Sequence, residues 1–368
     1  MKTSVVRLDN IKPIQFRFDA SYHLSEGEEV KRLINASPYR LLKVSDASKD
    51  IFIGNRAKRV YVKKRSHGTP FLSSSDILQA DLENVKIASN KYTPNIEQMK
   101  LQKGWTLISR SGTIGNCAFA NAKHAQKLAS EHVIRLVPNN ILREGVVYAY
   151  LASKYGHSLL TQGTFGAVIQ HIEPDYVGSL PIPNFPESFQ KEVDDLIQES
   201  ARLREEATVA LEEAIKIFDN ILGETEFTSN QQTKVLSSKQ IFQSYKRFDS
   251  QYQIASDVLK AQLQKISGIR TIKIATIASN VFIGNRGKRM YVNNNGVPFM
   301  SSSDMMLFNA LYYSKLISKK TPGIEDMIVK TGDILISRSG TVGNTIIVGE
   351  AYNNVAVSEH AGRLRINK

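Results

Sequence analysis

Three short polar motifs hold most of the groups in this chain that could do chemistry, and each is written twice. Gly54-Asn55-Arg56, followed by Lys58 and Arg59, joins a flexible turn to an amide and three cations. Arginine can donate two hydrogen bonds to the major-groove edge of guanine, and asparagine can pair in the same two-pronged way with adenine. Ser73-Ser74-Ser75-Asp76 supplies short hydroxyls and backbone amides, which suit phosphate oxygens. Ser109-Arg110-Ser111-Gly112-Thr113 sets a cation inside a glycine turn. Taken singly, each motif also reads as a turn or a cap. Twice over on a basic chain, together they favour DNA.

Catalysis finds less support. The chain has no Gly-x-x-x-x-Gly-Lys-Ser/Thr phosphate loop and no Gly-x-Gly-x-x-Gly opening a helix. It also lacks the Asn-Pro-Pro-Tyr-type tetrapeptide that an adenine methyltransferase needs. Ser130-Glu131-His132 and Ser358-Glu359-His360 offer two carboxylate–imidazole pairs, but no nucleophile or metal-ligand spacing accompanies them. Neighbours along a strand point to opposite faces, so Glu131 and His132 need not meet, and a structural role is expected. His171, within Gln170-His171-Ile172-Glu173-Pro174, reads as a loop residue. No catalytic residue and no metal ligand is assigned.

The elements that carry these motifs form a tandem duplication. Arg17-Phe18-Asp19 returns as Arg247-Phe248-Asp249. Ile51 to Val62 returns as Val281 to Val292, with nine of twelve positions identical at an offset of 230. At Pro70 and Pro298 the offset is 228, and at the same offset Leu107 to Asn116 matches Leu335 to Asn344. The second set of candidate DNA contacts is therefore Asn285, Arg286, Lys288, Arg289, Ser301, Ser302, Arg338 and Thr341, beside Asn55, Arg56, Lys58, Arg59, Ser73, Ser74, Arg110 and Thr113 in the first. The slip falls between Val62 and Pro70, where β-prone flanks around a Gly-containing loop predict a hairpin. One loop is cationic (Lys63, Lys64, Arg65) and the other is Asn293, Asn294 and Asn295, so these tips are candidates for contacts that differ between copies. Ile77 to Asn90 and Met305 to Ser318 also diverge.

Of 368 residues, 48 are Lys or Arg and 35 are Asp or Glu, for a net charge of +13. Between Glu187 and Glu224 there are 11 acids against 4 bases, a local −7 that leaves +20 on the remainder. Such segregation favours dedicated polyanion-binding domains. A single cysteine, Cys117, excludes an internal disulfide framework and any cysteine-rich zinc module. No signal peptide or membrane span is expected, and the expected location is cytoplasmic.

The acidic segment predicts a long helix, with Pro186 suited to its first turn and Gly223 to its end. Phe189, Val193, Leu196, Ser200, Leu203, Ala207, Ala210, Ala214, Ile217 and Ile221 alternate spacings of four and three. That heptad seam predicts a coiled coil, formed with the same helix of another chain or with a partner's helices. The other outcome is a helix that packs back on its own domain.

At Leu107 to Asn116, at Ser-Glu-His-x-x-Arg-Leu (Ser130 to Leu136) and at Thr161 to Pro183, which runs into the long helix, the chain resembles the specificity (S) subunit of type I restriction–modification systems. The resemblance implies an α+β chain of tandem target-recognition domains joined by a long coiled-coil helix. It implies a non-enzymatic subunit in which each domain reads half of a bipartite site on double-stranded DNA. It further implies docked DNA methylation subunits that carry S-adenosylmethionine, and possible restriction subunits that use ATP and magnesium, with no cofactor in this chain. Expected boundaries are a first recognition domain over 1–185, the helix over 186–223, a linker over 224–244 and a second domain over 245–368 that stops before its C-terminal part. Some relatives are half-length and dimerise, which suits a homodimer through the helix. The competing readings are a self-sufficient DNA-modifying or DNA-cleaving enzyme, and a scaffold that binds other anions.

Overall fold

The structure is a computed structural model, and it describes residues 18–56, 58–164, 170–222, 235–243, 249–265, 272–312, 314–340 and 342–366, with Thr3, Val5 and Val6. Arg17, Gly223, Thr341, Arg247, Phe248 and most of the expected linker lie outside the described residues. The chain divides into two compact units, Met1–Glu206 with Ser303–Tyr313, and Ala207–Ser302 with Ser314–Lys368.

The first unit opens with α1 (Ala20–His23) and α2 (Glu26–Asn35), whose Val30 and Ile34 turn inward. Its acidic first turn (Glu26, Glu28, Glu29) complements the positive end of the helix dipole. Strands β1 (Leu41–Lys43), β2 (Ser48–Ile53), β3 (Tyr61–Val62), β4 (Gly68–Leu72) and β5 (Lys86–Ser89) follow. Then come β6 (Thr106–Ser109), β7 (Cys117–Phe119), β8 (Leu128–Ala129) and β9 (Val133–Pro138). The unit closes with α3 (Glu144–Ala152), α4 (Lys154–Gln162), α5 (Pro174–Ser179), β10 (Pro181–Pro183) and the start of the 36-residue α6 (Glu187–Leu222).

Two four-stranded sheets result, in the orders β2-β9-β6-β7 and β3-β5-β4-β8. Strand β6 shows why the core has two layers. Ile108 faces a cluster with Ile134, Leu136, Val147, Leu151, Leu159 and Leu160, so helices α3 and α4 cover that side. Its neighbour Leu107 points the other way, toward Leu72, Leu101, Ala129 and Val133 between the sheets.

The predicted hairpin between Val62 and Pro70 does not form. Strands β3 and β4 both pair antiparallel with β5, which lies between them. The Gly-containing connection therefore crosses over a strand instead of turning back on itself. It carries a short 3-10 turn, Arg65–His67, to span that distance. Local β-propensity could not reveal a third strand inserted from 20 residues further on.

In the second unit, helices α7 (Ser238–Gln243), α8 (Ser250–Lys265) and α9 (Ile274–Ile277) precede β11 (Ala278–Ile283), β12 (Tyr291–Val292), β13 (Val297–Met300) and β14 (Lys315–Ile317). Strands β15 (Ile334–Ser337), β16 (Thr345–Ile347), β17 (Ala356–Val357) and β18 (Ala361–Ile366) complete it. The sheets repeat the first topology as β11-β18-β15-β16 and β12-β14-β13-β17. Even the register irregularity recurs, between Ser48 and Asp50 in β2 and between Ala278 and Asn280 in β11. Val281, Ile283 and Ile347 are exposed. Their equivalents Ile51, Ile53 and Phe119 pack in the first core.

The root of α6 packs on the first unit through Gln190, Asp194, Ile197 and Ala201. Asp194 Oδ1 accepts from the Gly145 amide at 2.8 Å, and Gln198 Nε2 donates to Glu144 Oε1 at 2.7 Å. The buried face is offset by one residue, about 100° around the helix, from the heptad seam. Along that seam Phe189, Leu196, Leu203, Ala207, Ala210, Ala214, Ile217 and Ile221 are exposed, and Val193 is half-buried. No described helix is long and apolar enough to cross a membrane.

Candidate nucleic-acid interface

The repeated motifs are loops at strand ends, and backbone hydrogen bonds tie two of them together. The turn after β6 closes through Gly115 N to Ser109 O at 2.9 Å, with Gly112 and Gly115 both at positive φ. Gly340 and Gly343 hold the same conformation in the second copy. In that region a side chain is strained, which is why glycine recurs there. Arg110 N then donates to His132 O, and Arg338 N to His360 O, each at 2.9 Å.

Side chains reinforce the junction. Ser111 Oγ lies 2.7 Å from His132 Nδ1, and Ser339 Oγ lies 2.8 Å from His360 Nδ1. His132 Nε2 stands 3.7 Å from Glu131 Oε1, and His360 Nε2 stands 3.6 Å from Glu359 Oε1. The adjacent carboxylate and imidazole thus do approach each other, because Ser130 to His132 forms a turn and not a strand. The order carboxylate, imidazole, hydroxyl has the outline of a relay, but the gap at Nε2 exceeds hydrogen-bond range. The strong partners of the two carboxylates are Arg59 for Glu131 and Arg289 for Glu359. Each guanidinium also lies over an aromatic ring, Arg59 at 4.7 Å from Phe71 and Arg289 at 4.8 Å from Phe299. Burial works to raise the Glu359 carboxyl, yet a backbone hydrogen bond and Arg289 outweigh it and hold it below the usual range. These arrangements position loops.

Beneath them lies the arginine of Ser-Glu-His-x-x-Arg-Leu, to which the sequence alone gave no role. Arg135 is fully buried, with Nη1 donating to Ser130 O at 3.1 Å and Val133 O at 2.7 Å, and Nη2 to Ala129 O and to Met99 O at 3.4 Å. Arg363 repeats the scheme with Val357 O and Met327 O. Burial pulls each guanidinium down to about 10, which still leaves it charged at neutral pH. The Ala129, Ser130 and Val133 carbonyls it gathers frame the turn that presents Glu131 and His132, while the Met99 carbonyl comes from a separate segment. The available signal was the Arg-Leu pair written identically at Arg135-Leu136 and Arg363-Leu364.

The structure sorts the candidates into two groups. Arg56, Lys58, Lys63, Lys64 and Arg65 are exposed, as are Thr113, Asn285, Arg286, Lys288 and Arg338, while Asn55 is half-buried. Arg65 Nη1 is held 2.6 Å from Glu83 Oε2. Arg59, Arg289 and Arg110 turn inward, and Arg110 pairs with Glu173. Ser73 is occupied within its own turn, its amide donating to Asp76 Oδ2 at 2.8 Å. Ser74, Ser301 and Ser302 are half-buried. A Cβ on Gly112 would stand 3.9 Å from Ser74 Oγ, so those two turns are neighbours. Burial lowers the His132 imidazole, and Arg110, Arg59, Arg56 and His171 add to that, which identifies the groups gathered around it. Thr341 lies outside the described residues. Among the described residues no group of three His, Cys, Asp or Glu side chains could hold a metal ion.

Residues 47–197 match the family model of the type I restriction modification DNA specificity domain. No curated protein matches the chain. Among solved structures, the chain is similar to the S subunit of a type I restriction–modification system from M. genitalium, at 15% identity over 91% of this chain and 74% of that one, with a TM-score of 0.33. It is also similar to the HsdS subunit from Thermoanaerobacter tengcongensis, at 14% identity over 90% and 76% of the two chains and a TM-score of 0.33. The span that holds the first turn cluster, the buried Arg135 and the root of α6 as far as Ile197 is thus the part of the chain that is similar to a type I restriction modification DNA specificity domain.

Proposed function

We propose that the chain is a DNA-reading specificity subunit of a type I restriction–modification complex, in which each repeat faces one half of a bipartite site. The observation that carries this reading is the doubling of one loop cluster on one topology. Two sets of exposed Arg and Lys side chains, Arg56 and Lys58 beside a half-buried Asn55, and Arg286 and Lys288 beside an exposed Asn285, sit on loops held from beneath by Arg135 and Arg363. Loops fixed by a rigid scaffold suit recognition, since ordering them on binding costs little entropy.

In this reading the chain contributes recognition, and chemistry belongs to its partners. Methylation subunits would bring S-adenosylmethionine, and restriction subunits would bring ATP and magnesium. The exposed seam of α6, from Phe189 through Ile221, would pair with the same helix of a second copy or with a partner's helices. Ala207, Ala210 and Ala214 permit close approach there.

The test is selection from a random-sequence duplex pool by the full chain with methylation subunits. Enrichment of a split motif with a constant gap supports the reading. No enrichment over the starting pool defeats it.

A further inference from the structure

A second doubled feature lies on the edge strands β3 and β12, next to the cationic motifs. Tyr61 on β3 and Tyr291 on β12 are both exposed. Each ring stands edge-on to a buried phenylalanine, Tyr61 to Phe71 at 6.1 Å and Tyr291 to Phe299 at 6.3 Å. Each also carries an ammonium group over its face, Lys86 Nζ at 5.1 Å from the Tyr61 ring and Lys315 Nζ at 5.3 Å from the Tyr291 ring.

The sheet register explains the pairing. Tyr61 lies opposite Ala88 on β5, and Tyr291 opposite Ile317 on β14. Lys86 and Lys315 are two residues before those positions and share their face of the sheet. The offset between the lysines is 229, whereas it is 230 at the tyrosines and 228 at Pro70 and Pro298. The lysines also fall in the stretches Ile77 to Asn90 and Met305 to Ser318, where the copies differ at most positions. An equivalent pair in each copy has therefore kept its chemistry and its place through two insertions and extensive substitution around it.

We propose that Tyr61–Lys86 and Tyr291–Lys315 are two sequence-independent contacts to the sugar–phosphate backbone of duplex DNA, one in each repeat. This inference rests on the DNA-reading function proposed above. Equal chemistry in both copies answers an equal feature of the ligand. Whatever bases the two half-sites carry, the part common to every half-site is the backbone. The residues that follow each tyrosine behave in the opposite way, since Lys63, Lys64 and Arg65 are replaced by Asn293, Asn294 and Asn295. Exposed Arg56 and Lys58 precede Tyr61, and exposed Arg286 and Lys288 precede Tyr291, so each edge strand is flanked by cations. The tyrosine ring gives the lysine stem an apolar rest and holds its ammonium group over one face.

The experiment uses the full chain and a fluorescein-labelled 40-base-pair duplex of random sequence, with anisotropy followed across a salt series. The K86Q/K315Q variant should bind more weakly and lose about 1.8 from the log–log salt slope, since each lost phosphate contact removes about 0.9. K100Q/K191Q makes an equal charge change at lysines already paired with Glu97 and Asp195, and its slope should not move. Y61A/Y291A should weaken binding without changing the slope, and circular dichroism melts of all variants should match the parent. An unchanged slope in K86Q/K315Q overturns the inference, and so does an equal loss in K100Q/K191Q. If the parent chain enriches a split motif from the pool while the slope stays fixed, this inference alone has failed. If the slope falls as expected and no motif is enriched, the DNA-reading function has failed. A parent chain that binds no duplex overturns both.

Discussion

A Cβ placed on Gly54 would stand 2.7 Å from Nη2 of Arg135, and one on Gly284 would stand 2.2 Å from Nη1 of Arg363. Both glycines open the Gly-Asn-Arg motif that suggested base recognition. Their first duty is to let a buried guanidinium pass beneath the loop. Gly54→Ala should destabilise the chain by about 1–3 kcal/mol, the usual cost of overpacking a filled interior. Urea denaturation measures this, and Gly284→Ala should behave alike.

Breaking the ion pair between Arg59 and Glu131 should cost stability before it changes binding. Arg59 keeps about a fifth of its side-chain exposure (19%) and Glu131 keeps 9%, so water softens the loss. Glu131→Gln is expected to cost about 1–3 kcal/mol, as for other hydrogen bonds to charged groups. The same change should release Arg59 and raise affinity for random-sequence duplex at low salt. Thermal melts and anisotropy titrations test the two effects separately.

The two faces of α6 should respond oppositely to substitution. Ile197 packs against the first core, whereas Leu203 is half exposed at 50%. Ile197→Glu places a carboxylate against that core and should lower the melting temperature of the unit. Leu203→Glu and Ala210→Glu should leave melting unchanged and weaken self-association or partner docking. Light scattering beside calorimetry distinguishes these outcomes.

Acid stability should carry the signature of His124. This imidazole is 5% exposed, and its Nδ1 donates to Asn121 Oδ1, 2.8 Å away. Burial pushes it down to about 4, while in the unfolded chain it titrates near 6.5. Below 6.5 the unfolded state takes up a proton that the folded state refuses. Its contribution is therefore complete above pH 6.5 and is lost progressively as pH falls toward 4. The loss should reach about 3 kcal/mol over that window. Denaturation at pH 7, 6 and 5 should show the decline, and His124→Gln should flatten it.

Much of this architecture was legible in the residues themselves. Equal sequence folds alike under the same local forces, so the duplication at Ile51 to Val62 and Val281 to Val292 announced two equal topologies before any coordinate was known. The long acidic stretch without internal Gly or Pro announced a helix, and α6 spans Glu187–Leu222. Its apolar spacing could not say which stripe is covered at home. One residue of offset separates the two faces, and contacts made on folding, among them Asp194 with Gly145, Gln198 with Glu144, and Ile197 and Ala201 with the core, select between them.

What the tertiary structure alone decided was the fate of individual charges. Composition treats Arg56, Arg59, Arg110 and Arg135 as four equal cations. Folding leaves the first exposed, pairs the next two with Glu131 and Glu173, and buries the fourth among carbonyls. It likewise set β5 between β3 and β4, which brought Lys86 to Tyr61. The partners of Arg59, Arg110 and Tyr61 lie 25 to 72 residues away in the chain, and Arg135 adds the Met99 carbonyl, 36 residues away, to those of its own turn. Sequence pattern reports periodicity over neighbouring turns and strands, whereas long-range partners are chosen by the packing of the whole unit.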